Sequence, residues 1–156
     1  MISNDINLAV QHLNKNGIIG FPTETVYGLA GNAFNTAAIH KIFDVKKRPT
    51  FNPLIVHIKG IEDLDKVATD IPSIAYELAN VFWPGPLTFI LKKQPHIPDL
   101  VTANQDTVAV RVPNHPIALE LLNKLEYPLV APSANPFTSI SPTTANHVED
   151  YFANQI

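Results

Sequence analysis

Apolar residues in this chain change period again and again, and each short strand-like run empties into a polar loop punctuated by proline. That alternation admits a helix-flanked sheet and little else. Ile6, Ala9, Val10 and Leu13 recur at helical spacing, and Gly17 is placed to end that helix in a left-handed conformation. Ile18 to Phe21 then reads as a strand, cut by Pro22, which delivers the polar run Pro-Thr-Glu-Thr-Val-Tyr-Gly at 22 to 28. Asn35 can cap a second helix with Ala38, Ile39, Ile42 and Phe43 as its apolar face, and Leu54 to Ile58 follows as a buried strand. Ile74, Ala75, Leu78, Val81 and Phe82 make the apolar face of a third helix, stopped by the turn Trp83-Pro-Gly-Pro, with Leu87 to Leu91 as the strand beyond. Residues 93 to 106, with Pro95 and Pro98, read as a long surface loop.

In the last third, Thr107 to Val112 resumes as a strand. Val108, Val110 and Val112 take one side, so Thr107, Ala109 and Arg111 take the other. A helix over Pro116 to Leu125, a strand over Leu129 to Ala131 and a final helix opened by Ser141-Pro142 complete the pattern. No internal repeat, low-complexity tract or linker divides the 156 residues, so a single α/β domain over 1 to 156 is the expectation.

The strongest local chemistry lies at Lys46 to His57. Lys46 and Arg48 stand two apart, which in an extended segment aims both cations at one target, and Pro49 and Pro53 stiffen the backbone around them. A polyphosphate clamp fits these residues. So does a helix C-terminus trailing into solvated lysines, since cations are favoured at that end of the helix dipole.

Composition narrows the partners. A net charge of −3 does not advertise general nucleic-acid binding, although Lys41, Lys46, Lys47 and Arg48 form a local basic cluster. The absence of cysteine excludes disulfides, thiolate metal sites and a cysteine nucleophile. With no basic stretch before an apolar run and no apolar run near 18 residues, the expectation is a cytoplasmic protein without a membrane partner. Walker A, GxGxxG, His-Glu-x-x-His and Gly-x-Ser-x-Gly patterns do not occur. What remains are four polar stretches at strand ends: Thr23 to Tyr27, Lys46 to Asn52, Thr107 to Arg111 and Ser133 to Asn135. Strand ends of open α/β sheets gather ligands, so these four are expected to share a crevice.

Six ordered blocks make the chain recognisable. They are Phe-Pro-Thr-Glu-Thr-Val-Tyr-Gly-Leu (21 to 29), Lys-x-Arg-Pro (46 to 49), Asn-Pro-Leu-Ile-Val-His (52 to 57), Trp-Pro-Gly-Pro-Leu-Thr (83 to 88), Val-Ala-Val-Arg-Val-Pro (108 to 113) and Ala-Pro-Ser-Ala-Asn (131 to 135). With Ser-Pro-Thr-Thr-Ala at 141 to 145, they resemble the YrdC-type threonylcarbamoyl-AMP synthases over most of the chain. The resemblance implies a twisted, mixed open sheet with helices on both faces, and a cavity for ATP, threonine and bicarbonate. It implies Lys46, Arg48, Ser133 and Asn135 around the nucleotide, with Asn52, Thr107 and Ser141 as further ATP positions. For threonine it implies Thr25, His57, Arg111 and the backbone of Ala131. Lys46 and Arg48, with a magnesium ion carried by the nucleotide, would then stabilise the leaving pyrophosphate, and no resident metal ligands are implied.

The implied partners beyond the substrates are tRNA and downstream tRNA-modification proteins. Family members generally continue past the Ser-Pro-Thr-Thr helix into a further strand and a later nucleotide-binding arginine, whereas this sequence stops at Ile156, which sets an expectation of weak ATP binding. Two other classes stay open on residues alone: an RNA-binding module, and an adenylating module for another carbamoyl acceptor.

Overall fold

A computed structural model describes residues 1–153 and 155–156. Seven strands form one mixed open sheet: β1 (Ile19–Phe21), β2 (Gly28–Asn32), β3 (Ile55–His57), β4 (Ala68–Thr69), β5 (Phe89–Lys93), β6 (Thr107–Arg111) and β7 (Leu129–Val130). Their spatial order is β1-β2-β7-β3-β6-β5-β4. Only β3 and β6 run parallel; every other neighbouring pair is antiparallel. Helix α1 (Ile6–Asn14) precedes the strands, helices α2 (Thr36–Lys46), α3 (Ser73–Phe82), α4 (Asp99–Thr102), α5 (Pro116–Asn123) and α6 (Ala145–Phe152) connect or follow them, and a 3-10 helix spans Ile61–Lys66.

Strand alternation divides the core between two faces. Leu29 and Val130 point into one cluster with Ile39, Ile42 and Phe43 of α2, while their neighbours Ala30 and Leu129 point into another with Leu13 of α1 and Leu121 and Leu122 of α5. Helices therefore cover both faces, as the resemblance implied. No helix among the described residues is long and apolar enough to cross a membrane.

Asn35 caps α2 as its sequence predicts, its side chain accepting from the Ala38 amide at 3.0 Å. Elsewhere the periodicity misleads. Asn16, at φ 59°, and not Gly17, takes the left-handed position after α1. The expected core face of α3 holds only at Ala75: Ala75 and Ala79 are buried, whereas Ile74, Leu78, Val81 and Phe82 are exposed. Two alanines let that helix approach closely, and the large residues beside them are left outside. The stretch 93 to 106 is no plain loop, for Lys93 ends β5, α4 lies within it, and Ile97, Val101 and Thr102 are buried. The last helix begins at Ala145 with Thr144 as its cap, the Thr144 hydroxyl accepting from His147, so Ser141-Pro142 lies in the loop before it.

Strand β2 has no counterpart in the sequence reading. Its residues, Gly-Leu-Ala-Gly-Asn, have low strand propensity, yet β2 pairs on both sides and supports the loop after β7. The Leu29 amide donates to the Pro132 carbonyl at 2.8 Å and the Ala134 amide to the Tyr27 carbonyl at 2.7 Å. At this seam a Cβ on Gly28 would stand 2.9 Å from the Ala131 Cβ. Gly28→Ala is expected to destabilise the fold by about 1–3 kcal/mol through overpacking, read as a lowered urea midpoint with an unchanged slope.

Candidate functional site

The parallel pair β3 and β6 sets the floor of the site. In register, Val56 lies beside Val110 and His57 beside Arg111. Partners in register point the same way, so the two valines enter the core while His57 and Arg111 emerge together on the opposite face. Above them a cavity of about 310 Å³ is walled by Thr23, Thr25, Arg48, Arg111 and Ser133 among others. All four polar stretches singled out in the sequence thus reach one crevice.

Arg111 is held at three points. Its Nε donates to the Gly85 carbonyl at 3.1 Å, its Nη2 donates to Glu24 Oε1 at 2.5 Å, and Nη1 and Nη2 each lie 3.4 Å from the Thr25 hydroxyl. The second oxygen of Glu24 accepts from the Asn114 amide at 3.0 Å. Burial alone would raise the Glu24 pKa, but the hydrogen bond and charge of Arg111 outweigh it and hold the carboxyl below its ordinary value. The Trp83-Pro-Gly-Pro turn, expected to be structural, thus also serves the site through the Gly85 carbonyl.

His57 is buried edge-on to Phe21, with ring centroids 5.7 Å apart. Its pKa is lowered to about 4, first by burial and then by the charge of Arg111, so the ring is neutral at pH 7. Its Nδ1 lacks a hydrogen-bond partner. The ring lines the cavity as a neutral imidazole, with this nitrogen itself buried.

The cationic stretch departs from its expected geometry. Lys46 is the last residue of α2 and Lys47 is left-handed at φ 53°, so Lys46 and Arg48 do not lie on an extended segment. Nor is Lys46 solvated, being 1% exposed. Its ammonium donates to the Ser133 carbonyl at 2.5 Å and to the Asn135 carbonyl, and its own carbonyl accepts from the Phe137 amide at 2.8 Å. Burial, helped by the nearby charge of Arg48, lowers its pKa to about 8. Lys46 is therefore a tie between α2 and the loop after β7, and it does not line the cavity. Arg48 does line it, steadied by the Asn52 carbonyl at 3.4 Å and the Pro53 carbonyl at 3.1 Å, with Phe137 6.0 Å from its guanidinium carbon.

The other sequence candidates divide. Thr25, His57, Arg111, Ala131 and Ser133 line the cavity with Arg48. Asn135 is buried behind it, donating to the Pro136 and Ser139 carbonyls and accepting from the Ser141 hydroxyl at 3.5 Å. Asn52 meets Arg48 through its backbone alone. Thr107 shares the Arg111 face but starts β6, about 13 Å further along the strand, outside the cavity wall. Glu24 is the residue that sequence reasoning passed over. A lone arginine on a half-covered strand face demands a carboxylate, and Glu24 is the only one in the four polar stretches.

The chain is similar to known proteins over nearly its whole length. Over 151 residues the chain is 47% identical to a threonylcarbamoyl-AMP synthase of Pyrococcus abyssi, covering 97% of this chain and 44% of that protein. It is 36% identical to a threonylcarbamoyl-AMP synthase of Pseudomonas aeruginosa, covering 95% of this chain and 80% of that one. The crystal structure of P. abyssi Sua5 complexed with L-threonine superposes with a TM-score of 0.96 at 46% identity, over 100% of this chain and 46% of the other. The chain thus spans less than half the length of its Pyrococcus relative. A family model named for Sua5, YciO and YrdC, with the description "Telomere recombination", matches residues 11–156, and the chain belongs to that family.

Proposed function

We propose that the chain catalyses ATP-dependent formation of L-threonylcarbamoyl-AMP from threonine and bicarbonate, supplying the adenylate for tRNA modification. The observation that carries this reading is the pairing, in one cavity, of a hydrogen-bonded arginine fork beside a hydroxyl and a neutral histidine at one end with a second arginine at the other. The first end suits a small amino acid: Arg111 takes the carboxylate, while Thr25, His57 and the backbone of Ala131 face the remainder. The Arg48 end suits phosphates, with Lys46 and Asn135 fixing the Ser133 loop and with Asn52, Thr107 and Ser141 extending the nucleotide side. That relatives with this name share the chain's sequence over nearly its whole length supports the assignment.

The chemistry asks for positioning more than for a nucleophile. The threonine amine adds to the carbon of bicarbonate, water leaves, and the resulting carbamate oxygen attacks the α-phosphorus of ATP while the bond to pyrophosphate breaks. Charge accumulates on the departing pyrophosphate, where Arg48 provides a fixed cation. Magnesium enters with the nucleotide as part of the substrate; among the described residues no cluster of three or more His, Cys, Asp or Glu is placed to hold a metal. His57, neutral and buried, acts as a hydrogen-bonding group and not as a charged acid. In assays of pyrophosphate release from ATP and magnesium, omitting threonine or bicarbonate is expected to abolish release. Equal release without either, or with serine in place of threonine, would remove the assignment.

A further inference from the structure

We propose that Glu24 is a positioning residue that decides which edge of Arg111 an amino-acid carboxylate uses, and through that edge sets the preference for a side-chain hydroxyl. The inference rests on the amino-acid reading of the cavity. A guanidinium offers two forks, a side edge formed by Nε–H with one N–H of Nη2 and an end edge formed by Nη1 with the other N–H of Nη2. In this site the side edge is full. The Gly85 carbonyl takes Nε at 3.1 Å and Glu24 Oε1 takes Nη2 at 2.5 Å.

The end edge is the one left for a ligand. It faces the Thr25 hydroxyl, which stands 3.4 Å from both terminal nitrogens, a length that marks a weak contact. A carboxylate arriving at the end edge replaces that contact with shorter, charged ones. Thr25 then keeps its hydroxyl beside the ligand, on the cavity wall it shares with His57.

Glu24 itself does not line the cavity, so it acts through Arg111. Its geometry is fixed from both oxygens, because Oε2 accepts from the Asn114 amide at 3.0 Å. The pair is partly buried, with side chains 9% and 21% exposed for Arg111 and Glu24, so water is a poor replacement on the side edge. Remove the carboxylate and one N–H of Nη2 is freed on that edge, with Nε still held by the Gly85 carbonyl, so a ligand carboxylate gains a second place to bind beside the end edge. Used from there, it enters at a different angle and carries its side chain away from Thr25 and His57.

The test is calorimetric titration of L-threonine and of L-valine, which has a methyl group in place of the hydroxyl, into the wild type, Glu24→Ala and Glu24→Gln, with ATP titrated in parallel. Glu24→Ala is expected to cut the threonine-over-valine affinity ratio about tenfold, the worth of one hydrogen bond to the hydroxyl, chiefly because valine loses less than threonine. Glu24→Gln, whose amide oxygen can still accept from Nη2, is expected to keep most of the ratio. A loss of affinity for both amino acids in equal proportion would overturn the proposal and leave the amino-acid reading standing. Wild-type protein that binds ATP but neither amino acid would overturn that reading and this proposal together.

Discussion

Arg111→Ala is expected to lower affinity for the amino-acid substrate proposed above by a hundredfold or more while leaving ATP binding nearly unchanged. Two charged hydrogen bonds to a carboxylate, at about 1.5–3 kcal/mol each, account for that size. The selectivity follows from placement: Arg111 ends β6 beside His57, whereas Arg48 hangs from the loop after α2 and is tied to Pro53. Titration calorimetry with each ligand separates the two effects. A selective loss of ATP affinity would move Arg111 to the other ligand.

The same substitution is expected to change the acid limb of stability. Glu24 has a folded pKa below its ordinary value, so it contributes stability that is fully present above the unfolded pKa and is lost as pH falls through the lower folded one. The Arg111 pair is the largest source of the lowering, and burial opposes it. Without Arg111 the larger part of that contribution is lost, the backbone hydrogen bonds to Glu24 remaining, and denaturant midpoints of wild type and variant should converge as pH falls below about 4.

How much of this was legible in the sequence depends on where each signal resides. The convergence of four polar stretches could be read because three of them follow a strand or a helix and the fourth is itself a strand, whose alternation of Val108 and Val110 against Arg111 fixed which way the arginine points. Strand β2 was not legible, since two glycines and an alanine in five residues carry no strand pattern, and its pairing is imposed by β1 and β7. The face of α3 was misread for a related reason. Periodicity reports which residues share a helix face, not how much of that face is covered, which here is only the strip at Ala75 and Ala79.

The site shows the same division. The family resemblance identified Arg111 and His57, but the partners that hold Arg111, the Glu24 carboxylate and the Gly85 carbonyl, are set by tertiary contact across more than twenty residues of chain. Lys46 is the sharper case. Spacing made it a twin of Arg48, while the helix end and the left-handed Lys47 turn it inward to two carbonyls.

That inward turn gives Lys46→Met the largest expected effect on stability, and one that grows with pH. The variant leaves the Ser133 and Asn135 carbonyls without their donor, at a cost of about 1–3 kcal/mol for each carbonyl that stays dry. In the wild type the folded pKa of about 8 lies below the ordinary lysine value of 10.5, because burial penalises the charged form and Arg48 adds to it. Between those two values the unfolded chain binds one more proton than the folded one, so wild-type stability from this group rises with pH. The rise begins near pH 8 and is complete above about 10.5, amounting to about 3 kcal/mol. A neutral amine retains two N–H groups, enough for both carbonyls, so the tie survives the loss of the charge. Urea denaturation of wild type and Lys46→Met across pH 7 to 10.5 should therefore show a deficit in the variant that widens as pH increases, whereas parallel curves would mean that the ammonium is solvated and that the loop after β7 is held by other contacts.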